Sequence, residues 1–565
     1  MLQFDEEKQQ KQLEDLKQQE EEDLVSILAA SKYNIPYINL AGVVIDNEAL
    51  RIIPEDEARV LGIAPFKLVG KKAHVAILSP RPELVSSVEK RVEGQGFSPV
   101  LYMASHASVE KVWKRYHEIS LASASKSGGL DISNQILLSI ADKVRSITDI
   151  KGVVEEVTRE THKTSQLLEV LLGSAIALDA SDVHIEPEQE TVRLRYRLDG
   201  LLHDAMVLEQ KTNRLLNSRI KLLSGMKITA ENTPQDGRFS IFLKSGEEVN
   251  IRTSTIPSAY GETIVMRVLN PKSIKGKLED LGMEPRLFEI VNKEITKPHG
   301  LILLTGPTGS GKTTTLYAFL RKIYNPEIKI ITIEDPIEYH ITGITQTQAD
   351  HKKGFTFLEG LRSALRQDPD VVMVGEIRDA ETAKIAVEAA LTGHMVFSTL
   401  HTNNAAGVIP RLIDLEVNPK IIPSALSVSM AQRLIRKLCE HCKKERTATQ
   451  PDDTLLRKIL ESAAQKGKEL SRYGVTPDQK ITLWEPVGCE KCDNTGYKGR
   501  IGVFEAILTN EAIEKIIPEN PSEREIKRVA QTQGILDMKE DGIIKALHGI
   551  TSLEEVRSVV DIEED

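Results

Sequence analysis

Leu301-Ile-Leu-Leu304-Thr305-Gly306-Pro307-Thr308-Gly309-Ser310-Gly311-Lys312-Thr313-Thr314 is the stretch on which the reading of this 565-residue sequence turns. Its four leading apolar residues predict a buried strand, Gly306 to Thr313 fit the phosphate-loop pattern G-x-x-x-x-G-K-[ST], and Thr314 to Lys322 predict a helix. Glycines at these positions let the backbone turn its N–H groups toward phosphate oxygens, and the helix N-terminus adds partial positive charge. The expected ligand is therefore a nucleoside triphosphate, ATP, cradled by residues 306–314. Lys312 would reach the β- and γ-phosphates, and the Thr313 hydroxyl would hold Mg²⁺.

Working outward, no apolar run approaches the roughly 20 residues that cross a bilayer. The first residues, Met1-Leu-Gln-Phe-Asp-Glu-Glu-Lys8, carry acid where an export signal carries base, so a cytoplasmic location is expected. A net charge of −10 argues against capture of nucleic acid, and none is expected as a partner. The length calls for several domains. Residues 1–23 are a charged lead-in, helical or disordered. Residues 24–120 alternate apolar clusters such as Val75-Ala-Ile-Leu78 with helical patterns such as Pro82 to Glu93, which predicts a small α/β domain. A Ser/Ala/Gly-rich linker spans 121–135, a second α/β domain 136–272, and the nucleotide domain 273–565, with a helical tail from about 508.

Hydrolysis needs more than a phosphate cradle. Ile330-Ile-Thr-Ile333 predicts a strand ending in Glu334-Asp335-Pro336, and Val371-Val-Met-Val374 a second ending in Gly375-Glu376. Carboxylates at the ends of parallel strands fall where open α/β sheets bind ligands. Glu334 is the candidate for orienting water; Gly375 stands where an Asp that ligates Mg²⁺ is usual, so Glu376 would act on the metal through water or share the work of activating the nucleophile, and the two acids stay unranked. A further strand between His394 and His401 places two histidines for contacting phosphate or for structure.

All four cysteines fall in one pattern, Cys439-x-x-Cys442 and Cys489-x-x-Cys492. Thiolate pairs at this spacing form two knuckles around Zn²⁺, with a redox dithiol as the competing reading. The residues between, about 439–495, are expected to fold as a small insertion with little core of its own.

Together these stretches resemble the secretion-superfamily motor ATPases, in the branch of type II secretion and type IV pilus assembly. The resemblance runs over about 165–510 through Ser181-Asp-Val-His-Ile-Glu-Pro187, Pro234-Gln-Asp-Gly-Arg238, Ile333-Glu-Asp-Pro336, Leu365-Arg-Gln-Asp-Pro-Asp370, Gly375-Glu-Ile-Arg-Asp379, His401, Ala431-Gln-Arg-Leu434 and the cysteine pairs. It implies a RecA-like domain with a zinc-binding insertion, preceded by a PAS-like α/β domain and a smaller N-terminal one. It also implies a homohexamer in which Arg238, Arg252 and Arg267 reach bound phosphates, and in which an inner-membrane platform protein is moved to add pilin-like subunits. The chain would then sit at the inner face of the cytoplasmic membrane, attached through partners. The cysteine insertion and extra N-terminal domain favour pilus assembly over retraction. A secretion pseudopilus, a nucleotide-gated scaffold and a DNA translocase are the alternatives. No Arg-Leu-Gly repeat of the kind linked to cyclic di-GMP binding occurs in residues 1–40.

Overall fold

The computed structural model describes residues 19–40, 42–43, 45–50, 52–94, 97–120, 129–131, 140, 143–160, 164–243, 248–270 and 276–563. Most of the acidic lead-in, most of the linker at 121–135 and residues 271–275 lie outside these. The chain divides into two compact units at about residue 131.

In the first unit, β1 (Ile63–Val69) pairs antiparallel with β2 (Lys72–Ile77), which pairs parallel with β3 (Ser98–Met103). Helices α1 (Glu55–Leu61), α2 (Pro82–Glu93) and α3 (His106–Ser120) accompany the sheet. Its core gathers Ile63, Phe66, Val75, Ile77, Val88, Val109 and Trp113, whose indole N–H donates to the Ile63 carbonyl at 2.9 Å.

The second unit holds two large sheets and a small two-stranded one. Helices α4 (Ile147–Glu160) and α5 (Thr164–Ala177) lead into β4 (Asp182–Pro187), β5 (Thr191–Leu198) and β6 (Leu201–Glu209). Helix α6 (Gln210–Leu223) and strands β7 (Gln235–Phe242), β8 (Glu248–Ser258) and β9 (Gly261–Leu269) follow. These six strands run in the order β7-β8-β9-β4-β5-β6, every pair antiparallel. Alternation decides this: in Thr191-Val-Arg-Leu-Arg-Tyr-Arg-Leu198, Val192, Leu194 and Tyr196 are fully buried, while the arginines between them stay half-buried on the other face.

The phosphate-loop sheet obeys a different rule. Its strands are β10 (Gly300–Thr305), β11 (Ile330–Glu334), β12 (Thr345–Gln348), β13 (Val371–Val374), β14 (Met395–Leu400), β15 (Leu426–Leu438) and, later in the chain, Tyr497–Leu508. Their order is β12-β11-β13-β14-β10-β15 followed by Tyr497–Leu508, parallel throughout except for that last antiparallel pair. All six residues of β10 are buried, with Leu301 and Leu303 in the core of one face and Ile302 and Leu304 in the core of the other. Helices on both sides account for these unbroken apolar runs. Helix α8 (Lys312–Ile323) follows the loop, and α7 (Pro285–Glu294), α9 (Phe357–Leu365) and α10 (Ala380–Leu391) complete the layers.

The insertion carries more structure than its sequence suggests. Strand β16 (Lys444–Thr447) pairs with β17 (Thr482–Glu485), and Tyr497–Leu508 becomes β18 in the chain-order numbering used below. Helix α11 (Gln450–Gln465) places Leu456, Ile459 and Leu460 in one apolar cluster with Leu536, Ile543 and Leu547 of the tail. The insertion's apolar face is completed by residues some 80 positions later, among them α12 (Met538–Leu547) and α13 (Leu553–Val559), so its core is shared with the tail.

Lys221 of α6 is fully buried against the Glu262 carboxylate at 2.5 Å, and it also donates to the Ala230 carbonyl at 3.0 Å. Breaking such a pair from one side strands a buried charge at a cost of about 3–5 kcal/mol. Lys221→Met should lower the unfolding free energy of the sheet of β4 to β9 by that amount in native-state hydrogen exchange, and Lys221→Met with Glu262→Leu should recover most of it. An undiminished protection in the single variant would refute the account.

Candidate functional site

The phosphate loop is shaped by a close approach from β15. Gly306 has φ +143° and a Cβ there would lie 2.4 Å from the Gln432 carbonyl oxygen; Gly311 has φ +90° and its Cβ would lie 2.9 Å from the Gln432 side-chain amide. Only glycine satisfies both conformation and space. The same Gln432 amide oxygen accepts from the Thr315 hydroxyl at 2.8 Å, tying the first turn of α8 to β15. Gly311 caps α8 without a side chain, which leaves the N-terminal amides for a ligand. Lys312 Nζ donates to the Gly306 and Pro307 carbonyls at 2.7 and 3.1 Å. The Ser310 hydroxyl is buried with no partner among the described residues, a donor that a phosphate oxygen would satisfy. Pro307, Thr308 and Gly309 are exposed at the loop's crest, Thr313 is exposed on the first turn beside Lys312, and Thr314 is half-buried behind it. Gly306 to Thr314 thus form one cradle suited to phosphate.

Glu376 follows β13 and faces this cradle. Its carboxylate accepts from His401 Nε2 at 3.1 Å and is paired with Arg378. Burial works against its charge, but the hydrogen bonds from Arg378 and His401 outweigh it and hold the carboxyl below its ordinary range. Glu376 is therefore an anion at neutral pH. Burial pushes the Lys312 ammonium down, the Glu376 charge opposes that shift and the Arg433 charge adds to it, so the three groups share one electrostatic site. Gly375 has its own explanation: a Cβ there would sit 3.2 Å from the Ile333 carbonyl and 3.3 Å from the Phe357 ring, too close for an aspartate without local movement.

Glu334 is in a different situation. It is 3% exposed, and its carboxylate accepts from the Thr332 hydroxyl at 2.5 Å, from Gln346 Nε2 at 3.0 Å and from the Tyr317 hydroxyl. Three donors occupy both oxygens, which leaves little capacity to hold a water. The histidines also separate. His401 reaches Glu376, whereas His394 lies at the opposite end of β14 and bonds the Ala389 carbonyl at 3.0 Å, a turn contact.

The three arginines stand in a single row. Strand register pairs Arg238 with Arg252, Arg252 with Arg267, Arg267 with Asp182, and Asp182 with Arg197. Directly opposed residues share a face of the sheet, and opposed like charges repel. Asp182, 5% exposed, relieves part of this by meeting Arg267 Nε at 3.1 Å and Arg197 Nε at 3.3 Å. Arg252 instead reaches the nucleotide half: its Nη2 donates to the Ile337 carbonyl at 2.8 Å and its Nη1 meets Glu338 at 2.9 Å. Arg238 is exposed without an ion partner among the described residues.

The four cysteine sulfurs lie within 4.8 Å of one another. Separations of 3.9 Å for Cys439 and Cys489, and 3.7 Å for Cys442 and Cys492 and for Cys489 and Cys492, fit a tetrahedron. Sulfurs about 2.3 Å from a central metal stand about 3.8 Å apart. Backbone N–H groups of Cys489 and Gly496 donate to Cys492 Sγ at 3.2 and 3.3 Å, as thiolate ligands require. The residues present fit Zn²⁺ with no position left open for substrate.

Sequence reasoning quoted Gln432, Arg378 and Arg433 within motifs but without a role, and passed over Tyr317 and Gln346. No spacing rule marks them; their roles arise from strands and helices meeting in space.

A phosphate loop between β10 and α8, with an anionic glutamate at the end of another parallel strand of the same sheet, defines a nucleotide-hydrolysing protein of RecA-like fold. The sequence profile described as Type II/IV secretion system protein matches residues 158–558, and that of the MshEN domain matches residues 33–119. The chain belongs to the Type II/IV secretion system protein family and is an ATPase. It is 38% identical over 537 residues to the type IV pilus assembly ATPase PilB of Thermus thermophilus, covering 93% of this chain and 56% of that one, so it spans little over half that relative's length. It is 45% identical over 394 residues to the type II secretion system protein E of Aeromonas hydrophila, covering 70% of this chain and 75% of that one. In structure it resembles the ATPase DotB of Yersinia pseudotuberculosis, with a TM-score of 0.51 at 21% identity, over 70% of this chain and 93% of that one.

Lys312→Ala should abolish ATP turnover while circular dichroism and melting stay near wild type; a rate close to wild type would remove Lys312 from the site. Cys489→Ser should release one zinc per chain by elemental analysis and raise protease sensitivity near Gln465 to Lys480. Because those residues share a core with the tail, melting of α12 should fall with them, and a metal-free wild-type protein would sink the site.

Proposed function

We propose that this chain powers type IV pilus assembly as a hexamer, coupling ATP hydrolysis to movement of an inner-membrane platform protein. The observation that carries the hydrolytic part is the anionic Glu376, held by His401 and Arg378 beside Lys312. In this reading Lys312 and the loop amides bind the β- and γ-phosphates, Thr313 holds Mg²⁺, and Glu376 orients and deprotonates the attacking water. Mg²⁺ would draw charge from the phosphate oxygens. His401 and Arg378 keep the carboxylate aimed. Arg238, free on its face of the sheet, and Arg267, tethered by Asp182, would meet phosphates held by a neighbouring subunit.

The pilus reading draws on the length of the similarity, 93% of the chain against the pilus ATPase and 70% against the secretion protein. The closer identity to the secretion protein over its shorter span supports the second reading, a pseudopilus motor. No helix among the described residues is long and apolar enough to cross a membrane, so contact with the platform would be peripheral, at the cytoplasmic face.

Glu376→Gln should lower kcat at least ~100-fold while ATP affinity persists, the size expected of a lost general base. Mixing Arg238→Ala subunits with Lys312→Ala subunits should restore part of the turnover, because some interfaces in a mixed ring regain both groups. No recovery at any ratio would show that Arg238 does not act between subunits.

A further inference from the structure

On the face of β15 turned away from the phosphate loop lies a cavity of about 690 Å³. Alternation along the strand separates the two. Gln432 and Leu434 point toward Gly311 at the start of α8, so Arg433 between them points to the other face, where it lines the cavity. Ala405, Ala406, Ile535, Leu536 and Met538, all buried, supply an apolar floor. The charge of the lining is unlike that of the chain: seven of its residues are Lys or Arg and three are acids, where the chain as a whole carries −10. Lys468, Lys527 and Arg528 are paired with Glu540, Glu523 and Glu525. Lys466, just past α11, and Arg524, in the tail helix Glu523–Ala530, are exposed with no ion partner among the described residues. Arg433 Nη2 donates to the Asn403 carbonyl at 3.1 Å, while its Nη1 is buried with no partner among the described residues. Two of the acids are already engaged. Glu505 accepts from the Ala405 N–H at 2.7 Å, and Asp537 caps α12 by accepting from the Glu540 N–H at 2.8 Å. Burial pushes the Glu505 carboxyl up, which weakens its hold on Arg433.

We propose that this cavity is a second nucleotide site, apart from the phosphate loop, in which Arg433, Lys466 and Arg524 hold the phosphates and the base lies on the apolar floor. A concave wall of one charge concentrates ligands of the other, and the planar fork of arginine suits phosphate. The volume falls within the range of small-molecule sites, which combine apolar walls with a few placed polar groups. The occupant would sit against the loop that carries His401, because Arg433 holds the carbonyl of Asn403, two residues further on. The inference does not depend on ATP hydrolysis at the phosphate loop.

Photolabelling of the full-length chain with 8-azido-ADP, followed by peptide mapping, tests the site by its location. Wild type should carry label on peptides from residues 531–561, which contribute to the cavity lining, in addition to label beside the phosphate loop. Lys466→Glu combined with Arg524→Glu should lower the cavity label ~10-fold or more through loss of two charge-assisted contacts, and should leave the phosphate-loop label within about 2-fold of wild type. Retention of that second label shows that the variant is folded. The phosphate-free probe 8-azido-adenosine should leave the cavity unlabelled. Absence of cavity label in wild type, an undiminished cavity label in the double variant, or equal labelling by the adenosine probe would each overturn the proposal. Loss of both labels together in the double variant would make the two sites one and overturn it as well.

Discussion

The approach of β15 to the phosphate loop is the constraint on which the nucleotide site depends. Gln432 brings its carbonyl against Gly306 and its amide against Gly311 and Thr315, so the loop is pinned from below at both ends and at the first turn of its helix. A loop fixed this way presents its amides without reorganising when phosphate arrives, which is where preorganised sites gain their advantage. The pinning is possible because β10 is buried on both faces and bonded on both edges, to β14 and β15. The Thr305 hydroxyl extends the arrangement by donating to the Leu400 and Thr402 carbonyls at 3.0 and 2.8 Å, which holds His401 beside the same mouth.

Features encoded in consecutive residues were legible. The loop glycines, the strands around them and the two cysteine pairs each carry their meaning within a few positions. The order of the acids was not. Glu334 and Glu376 look alike as strand-end carboxylates, and they differ only because Tyr317, Thr332 and Gln346 enclose one while Arg378 and His401 leave the other facing Lys312. That difference is set by packing of α8 and β12 on β11, which no periodicity reports. The shared core of the insertion was hidden for the same reason: the apolar residues of α11 find their partners in α12 and α13, far along the chain.

The arginine row shows how register converts scattered residues into a site. Positions 197, 238, 252 and 267 are unrelated by spacing, yet cross-strand pairing lines them up with Asp182 on one face. A stable fold alone would not place three arginines directly opposite one another, because each adjacent pair costs some fraction of a kcal/mol. Asp182 offsets the repulsion at one end and Glu338 at the middle, which leaves Arg238 as the position where positive charge is least compensated.

That uneven compensation bears on how the two sheets of the second unit cooperate. Arginine neutralised inside the chain has little left for a phosphate, since its fork of donors is already engaged. Arg252 is engaged by a carbonyl and a carboxylate, whereas Arg238 is not. The row therefore divides by contact along its length: Arg252 is anchored to the chain's own nucleotide half, while Arg238 is exposed with no ion partner among the described residues.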